Sequence, residues 1–233
     1  MTPDFAETVR RYTRDTWFAR AAVMAIIALQ LLVINDLSLG PRWLAPAIEL
    51  ALLVPLSVAG VWTQTRARLA GAHGPHLWER QRRVLRHFAR VLTAVISLMN
   101  LAALVALVRL LLEGHQATGH TLLLDALNIW GTNVVIFALW FWEMDRGGPA
   151  ARGTRHETAP DFLFPQMTVE GLGTGWRPGF VDYLFLSFTN ATAFSPTDTL
   201  PLTPSVKLLM MLEATISLLT VALVAARAVN ILA

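Results

Sequence analysis

The sequence predicts an all-α integral membrane protein with five transmembrane helices and one short re-entrant helix before the last of them. Three observations favour this class. Of the 233 residues, 55% are apolar and only 15% are charged, whereas roughly a quarter of the residues in soluble domains are charged. Several apolar stretches approach the roughly 20 residues that a helix needs to cross a bilayer. A shorter apolar segment precedes the last of these stretches.

The first two spans are predicted in the N-terminal quarter of the chain. The first covers about Phe18–Val33 and ends before Asn35 and the Gly40–Pro41 turn signal. The second covers Trp43–Trp62, with a tryptophan at each end. Tryptophan is enriched where transmembrane helices meet the membrane–water interface.

The remaining spans are predicted at about Arg90–Leu112, Leu122–Trp142 and Val206–Leu232. The last is long enough to cross the bilayer with some tilt. Between the fourth and fifth spans lies a stretch, 143–179, that is rich in glycine, proline and charge. It is predicted to be a long aqueous loop with little regular structure.

Arginine placement predicts how the spans are oriented. Fifteen of the 19 basic residues lie in three segments: the N-terminal region, the 63–90 connection and the 143–179 loop. The connection between the first two spans has only Arg42, and 113–121 has no arginine. Cytoplasmic loops are enriched in arginine and lysine. We therefore expect a multi-pass protein of a bacterial-type plasma (inner) membrane, with its N-terminus in the cytoplasm.

The placement of basic charge and the absence of cysteine argue against nucleic-acid binding and against thiol chemistry. The sequence pI of about 10.1 does not indicate nucleic-acid binding, because the arginines lie beside apolar runs. The basic segment Leu77–Arg90 is interpreted as a determinant of topology, with a specific lipid or ligand site as the alternative. With no cysteine, disulfides and thiolate chemistry are excluded. Because no two histidines have helical i, i+4 spacing, no metal site is predicted; His73 and His76, which flank Gly-Pro, are the weaker alternative. No cofactor is predicted.

A re-entrant segment is predicted just before the last span. Phe180–Asn190 is apolar and compatible with a helix, but it is too short to cross a bilayer. The residues that follow, 191–198, are small and rich in hydroxyl groups. Non-helical backbone at membrane depth is tolerated only where protein buries it or where it lines a water-filled cavity. A pore is the simplest cavity of this kind.

This region resembles the pore region of tetrameric potassium channels. In that family a pore helix ends in Thr-Ala-Thr, the filter reads Thr-Val-Gly-Tyr-Gly, an aspartate follows, and Pro-x-Thr precedes the inner helix. Ala191 and Thr192 match the end of the pore helix, Asp198 matches the aspartate, and Pro201 with Thr203 matches the entry to the inner helix. The resemblance covers about 55 residues, from Phe180 to the C-terminus, and implies a homo-oligomer, most simply a tetramer.

The filter positions depart from that family. They fall on Ala193, Phe194, Ser195, Pro196 and Thr197, and none of the five agrees. Ser195 and Thr197 replace the two glycines whose freedom lets a potassium filter aim its carbonyl groups inward. Pro196 fixes its own φ and removes an N–H group. A potassium-selective filter is therefore not expected.

Two functions remain open for the segment Thr192–Asp198. The first is an oligomeric ion channel of low selectivity that conducts monovalent cations. Its pore would be lined by hydroxyl groups and by a ring of Asp198 side chains. The second is a non-conducting scaffold or partner subunit with a pore-domain fold. The first four spans are similar to uncharacterised bacterial multi-span membrane proteins that have the same Asp-Tyr-Leu-x-x-Ser-Phe stretch, which suggests no activity.

The predicted organisation of the chain has four parts. They are an N-terminal segment (1–17), a four-helix region (18–142), a polar loop (143–179) and a pore-loop-like region (180–233).

Polar residues inside the spans are further candidates. Glu213, Ser217, Thr220 and Arg227 share one stripe of the last span. This stripe either lines a cavity or pairs with polar groups on neighbouring helices. Glu49 and Arg109 are either an interhelical pair or separate rim residues. Asn100 and Asn133 are interpreted as interhelical hydrogen-bonding residues.

A membrane enzyme is the remaining alternative. It would use loop residues near the interface, and the available ones are Glu143, Asp145, His156, Asp161 and Asp182. Their spacing forms no recognised catalytic motif. The sequence therefore predicts a protein that is not an enzyme.

Overall fold

A computed structural model describes residues 3–32, 47–51, 53–54, 57–58, 74–112, 119–149, 151–152, 156–170, 176–193 and 198–232. This part of the chain is mainly α-helical. Its helices are α1 (Pro3–Leu32), α2 (Gly74–Leu112), α3 (Gly119–Met144), α4 (Phe180–Ala193) and α5 (Pro204–Leu232). Residues 47–51, 53–54 and 57–58 are also helical.

Three helical segments agree with the predicted membrane-protein class. Within the described ranges, Val84–Leu111, Leu122–Gly147 and Pro204–Ala225 are long and apolar enough to cross a membrane. They coincide with the third, fourth and fifth predicted spans. Most of the first predicted span falls on the second half of α1. The second, 43–62, lies partly outside the described residues.

Helix α2 is longer than the predicted third span. It begins at Gly74 rather than near Arg90, so the basic segment Leu77–Arg90 continues the span as one helix. The sequence explains this continuity, because residues 76–112 contain neither glycine nor proline. Pro75 lies in the first turn, where its missing N–H group costs no helical hydrogen bond.

Helix α3 forms the centre of the bundle. It contacts α1, α2, α4 and α5, and 67% of its most apolar window is buried, compared with 33% for α2 and 22% for α5. It is followed by a 3₁₀ turn at Asp145–Gly147, where Arg146, Gly147 and Gly148 all have positive φ. A Cβ atom on Gly148 would lie 2.7 Å from the Glu143 carbonyl oxygen. This close approach explains why glycine is needed there.

The described residues of the 143–179 region are more ordered than predicted. Strand β1 (Phe162–Leu163) pairs antiparallel with β2 (Leu200–Pro201), which precedes α5. A 3₁₀ turn follows at Pro165–Met167. Phe162 and Phe164 are buried, and their rings lie 6.3 and 5.4 Å from that of Tyr183 in α4. The composition of the segment predicted a loop, whereas these two aromatic residues attach it to the bundle.

Helix α4 is the short helix that the sequence predicts, three residues longer at its C-terminal end. Its 14 residues extend about 21 Å, less than the roughly 30 Å of a bilayer core. At its start the Gly179 N–H donates to the Asp182 carboxylate at 2.7 Å. This contact satisfies a backbone donor that the helix itself leaves free.

Candidate functional site

The site is organised around α4, which contacts both α3 and α5. One side of the helix is buried and includes Phe180, Tyr183, Leu186, Ser187, Asn190 and Ala191. The opposite side exposes the apolar residues Val181, Phe185 and Phe188. Because isolated helices of this length are marginally stable, packing against the two longer helices is what maintains α4.

Glu213 of α5 joins α4 to the last span. Its side chain is completely buried. Ser187 Oγ contacts one carboxyl oxygen, and Asn190 Nδ2 donates to the other at 2.6 Å. Asn190 Nδ2 also donates to the Met210 carbonyl oxygen at 3.0 Å. These contacts fix the rotation of α4 relative to α5.

Ser187 also joins α4 to α3, because its hydroxyl lies 2.6 Å from the Val134 carbonyl oxygen. A hydroxyl group has one proton and two acceptor lone pairs. Both contacts of Ser187 are satisfied together when it donates to Val134 and accepts from a protonated Glu213 carboxyl. The arrangement therefore matches a neutral acid, which costs less to bury among apolar helices than a carboxylate.

Asn133 completes the connection between α3 and α5. Its Nδ2 donates to Ser217 Oγ at 2.9 Å and to the Glu213 carbonyl oxygen at 3.3 Å. It thus acts as the interhelical hydrogen-bonding residue that the sequence predicts. We refer to Asn133, Ser187, Asn190, Glu213 and Ser217 as the Glu213 cluster.

The polar stripe of α5 is turned inward. Glu213, Ser217 and Thr220 are all buried, and the first two bond to α3 or α4. The side chain of Arg227 lies outside the described residues. The sequence leaves open whether Glu213 lines a cavity or pairs with neighbouring helices. Its hydrogen bonds to Ser187 and Asn190 are those of a residue paired with a neighbouring helix. The exposed side of α5 is largely apolar and includes Leu208, Met211, Leu212, Leu218 and Leu219.

The filter-like segment is described only at its ends. Thr192 and Ala193 form the last turn of α4 and are exposed, and the Thr192 hydroxyl donates to the Phe188 carbonyl. Positions Phe194, Ser195, Pro196 and Thr197 lie outside the described residues. Asp198, two residues before β2, is exposed.

A second buried acid, Asp145, organises the end of α3. Its Oδ1 accepts from the Asp161 backbone N–H at 2.7 Å and from the Phe162 N–H at 3.4 Å. Its Oδ2 accepts from the Tyr183 hydroxyl at 2.5 Å. Asp145 therefore connects α3, the segment before β1, and α4.

Tyr183 has aromatic and cationic neighbours as well. The Arg152 guanidinium lies 4.9 Å from the centre of its ring, and Arg152 also donates to the carbonyl oxygens of Trp142 and Asp145. Burial raises the pKa of the Tyr183 hydroxyl well above its usual value, so the group stays a proton donor. In the sequence, Tyr183 stands out only as part of the Asp-Tyr-Leu-x-x-Ser-Phe stretch. Its spacing to Ser187 and Asn190, at i+4 and i+7, places the three on one buried face.

The residues considered for a membrane enzyme each have a separate place in the structure. The Glu143 carboxylate lies 3.7 Å from Arg90 Nε, and Asp161 Oδ1 accepts from the Thr203 hydroxyl at 2.7 Å. Asp182 binds the start of α4, and His156 is exposed. Among the described side chains, no group of three or more histidine or acidic residues is arranged to hold a metal ion.

Two further polar residues in the spans are placed by the structure. Glu49 is completely buried and accepts a hydrogen bond from Gln30 of α1 at 3.1 Å. Arg109 is exposed near the end of α2. Asn100 of α2 is buried.

The arginine-rich segments meet at one end of the bundle. Arg86 of α2 donates to the Gly147 carbonyl oxygen at 2.7 Å, beside the Arg90–Glu143 ion pair. Asp15 of α1 lies against Gly179, the residue before α4. Asp15 and Asp182 both have a raised pKa, first because burial removes water from their carboxylates. We call this the arginine-rich end.

Comparison with known proteins adds no assignment: no family model, curated protein or solved structure matches this chain.

Proposed function

We propose that this protein is one subunit of an oligomeric, channel-like membrane protein in which α4 is the re-entrant helix. The single observation that supports this most is the position of α4, which is too short to span and is held between α3 and α5 by buried hydrogen bonds. In this arrangement α3 is the outer helix of a pore region and α5 the inner one. The order of helices agrees with the resemblance noted for the sequence.

The proposed topology has five spans and a cytoplasmic N-terminus in a bacterial-type plasma membrane. Contacts among α1, α2 and the end of α3 support it, since the three arginine-rich segments meet at one end, as the positive-inside rule requires. The segment containing α4 then enters and leaves from the cytoplasmic side. This is the inverse of the potassium-channel arrangement and the same as in glutamate-receptor pores.

A pore requires several copies of the chain. Each chain contributes one α4 and one filter-like segment, so the simplest assembly places four around an axis. The exposed apolar side of α5 and the exposed side of α4, with Val181, Phe185 and Phe188, offer surfaces for lipid or neighbouring subunits. We propose monovalent cations as the permeant ions, because Asp198 would form a ring of negative charge at the end of the filter-like segment.

Ion flux into liposomes tests the proposal. Purified protein should be tetrameric and should conduct, and Asp198→Asn should reduce cation flux several-fold because the ring loses its charge. Ser195→Ala should also alter flux. Glu170→Gln is the matched control: it removes one charge from an exposed position in the loop before α4, so its flux should equal that of the wild type. Equal flux through wild type and Asp198→Asn would contradict a pore at this segment.

A non-conducting scaffold or partner subunit is the second candidate. It is favoured by one observation, the inward position of the α5 stripe, which leaves a largely apolar surface where a polar pore lining was expected. A tetramer with no flux at any voltage or in any monovalent salt would support the scaffold and exclude the channel.

A further inference from the structure

A cavity of about 80 Å³ lies between α1, α2 and α3 at the arginine-rich end, outside the Glu213 cluster. Its walls are mainly apolar and include Ala19, Val23, Leu92 and Leu139. A water molecule needs only about 10–15 Å³ of such space. The cavity is therefore large enough for a bulkier group, and its walls favour an apolar one.

Arg20 of α1 is the least expected residue in this wall. Its side chain is only 9% exposed, and its guanidinium lies 5.4 Å from the centre of the Trp17 ring. Across the described ranges the structure gives this guanidinium no hydrogen-bond acceptor. Arg20 lines the cavity, so its donors are available to a ligand bound there. An arginine in this state is suited to an anion, because its planar fork binds phosphate oxygens in pairs.

The other charged groups at the cavity are already engaged. Arg86 also lines it and donates to the Gly147 carbonyl oxygen. Glu143 is the acidic residue in the lining, and its carboxylate lies 3.7 Å from Arg90 Nε. Three arginines and one carboxylate thus lie in or beside the cavity, which leaves a positive balance. Tyr12 and Thr16 supply hydroxyl groups to the same lining.

We propose that this cavity binds one anionic phospholipid, with its phosphate on Arg20 and the adjoining part of an acyl chain against the apolar wall. A free phosphate ion would use the guanidinium but would gain nothing from apolar walls, whereas a phospholipid uses both. The inner leaflet of a plasma membrane is rich in anionic lipids. The choice of an anionic lipid rests on the proposed cytoplasmic orientation of the arginine-rich end, but not on whether the protein conducts ions.

Native mass spectrometry of the detergent-solubilised full chain tests it with three probes: phosphatidylglycerol, phosphatidylcholine and inorganic phosphate. The wild type should retain one phosphatidylglycerol per chain and little phosphatidylcholine, and millimolar inorganic phosphate should not displace the lipid. Arg20→Gln should weaken retention at least tenfold. Arg10→Gln, which removes an exposed charge from the same helix, should leave it unchanged.

A second pair of variants tests the cavity without changing charge. Ala89 lines the cavity, so Ala89→Leu should fill it and weaken retention of phosphatidylglycerol. Val91→Leu adds bulk to an exposed position of α2 and should have no effect. This pair keeps the test decisive if Arg20→Gln does not fold.

Three outcomes would overturn the proposal. The first is equal retention of phosphatidylglycerol by the wild type, Arg20→Gln and Ala89→Leu. The second is equal retention of phosphatidylcholine and phosphatidylglycerol. The third is displacement of the lipid by inorganic phosphate, which would show a site for a free anion.

Discussion

Replacing Glu213 tests whether its cluster holds α4 in place as a neutral unit. In Glu213→Ala, Ser187 and Asn190 each lose one partner, although they keep the carbonyl oxygens of Val134 and Met210. Interhelical hydrogen bonds in membranes contribute about 0.6 and at most about 1.7 kcal/mol each. Loss of the buried methylene groups and the cavity left behind add about 1–2 kcal/mol. We therefore expect a total cost of roughly 2–5 kcal/mol.

Glu213→Gln should behave differently. The glutamine amide can donate to Ser187 while its oxygen accepts from Asn190, which reproduces the pattern of a protonated carboxyl. Its cost should stay below about 1 kcal/mol, within the range of a volume-conserving exchange. Thr215→Ala is the matched control, because Thr215 is exposed on the same helix and bonds only within it, to the Met211 carbonyl.

Thermal unfolding in detergent measures these effects. For a chain of this size a cost of about 2–5 kcal/mol corresponds to a fall in melting temperature of roughly 4–20 °C. A double-mutant cycle with Ser187→Ala should show a coupling energy of about 0.5–1.5 kcal/mol. If Glu213→Gln destabilises the protein as much as Glu213→Ala, the carboxyl must be charged, and the hydrogen-bond assignment is refuted.

Three further predictions concern the aqueous end of the bundle. Tyr183→Phe should cost about 1–3 kcal/mol in thermal unfolding, because Asp145 loses a buried donor; an unchanged melting temperature would contradict the contact. Gly148→Ala should cost more than about 1 kcal/mol, because φ is +86° and a Cβ would lie 2.7 Å from a carbonyl oxygen. Gly131→Ala, a helical position with room for a methyl group, should instead be neutral or stabilising by up to about 1 kcal/mol; equal effects at the two glycines would refute the geometry. The pKa of Asp182 is raised above 3.8 by burial, so the folded state binds more protons and stability falls as pH rises from 3.8 through the raised pKa. In Asp182→Asn the free energy of unfolding should change less with pH in that window than in the wild type. A steeper dependence on pH would contradict the direction of the pKa shift.

The sequence predicted the elements whose pattern is local. Low charge, long apolar runs and the absence of helix breakers predicted three spans that coincide with described helices long and apolar enough to cross a membrane. The length of Phe180–Asn190 predicted a helix too short to cross. Helix α4 extends to Ala193 because Ala191 and Thr192 are compatible with a helix. The polar composition that follows does not determine the residue at which a helix ends.

The pairing of polar groups could not be predicted in the same way. The sequence placed Glu213 at membrane depth and left open whether it lines a cavity or pairs with another helix. Its partners Ser187 and Asn190 are 26 and 23 positions away along the chain. Only the packing of α4 on α5 brings them together. Asp145 was placed in an aqueous loop because its neighbours are polar, although it is completely buried. The signal for that burial lay in the apolar run Phe162–Pro165, which interrupts an otherwise polar loop.

The short β1–β2 pairing attaches the start of the last helix to the loop. Asp161 adds two contacts to this attachment: its carbonyl oxygen accepts from the Leu202 N–H at 2.8 Å, and its carboxylate accepts from the Thr203 hydroxyl at 2.7 Å. The first turn of α5 is thereby anchored to the folded loop and moves with it. Any bending of α5 relative to the loop must therefore occur beyond Thr203, so the loop and the start of the last span respond together to a force applied to either.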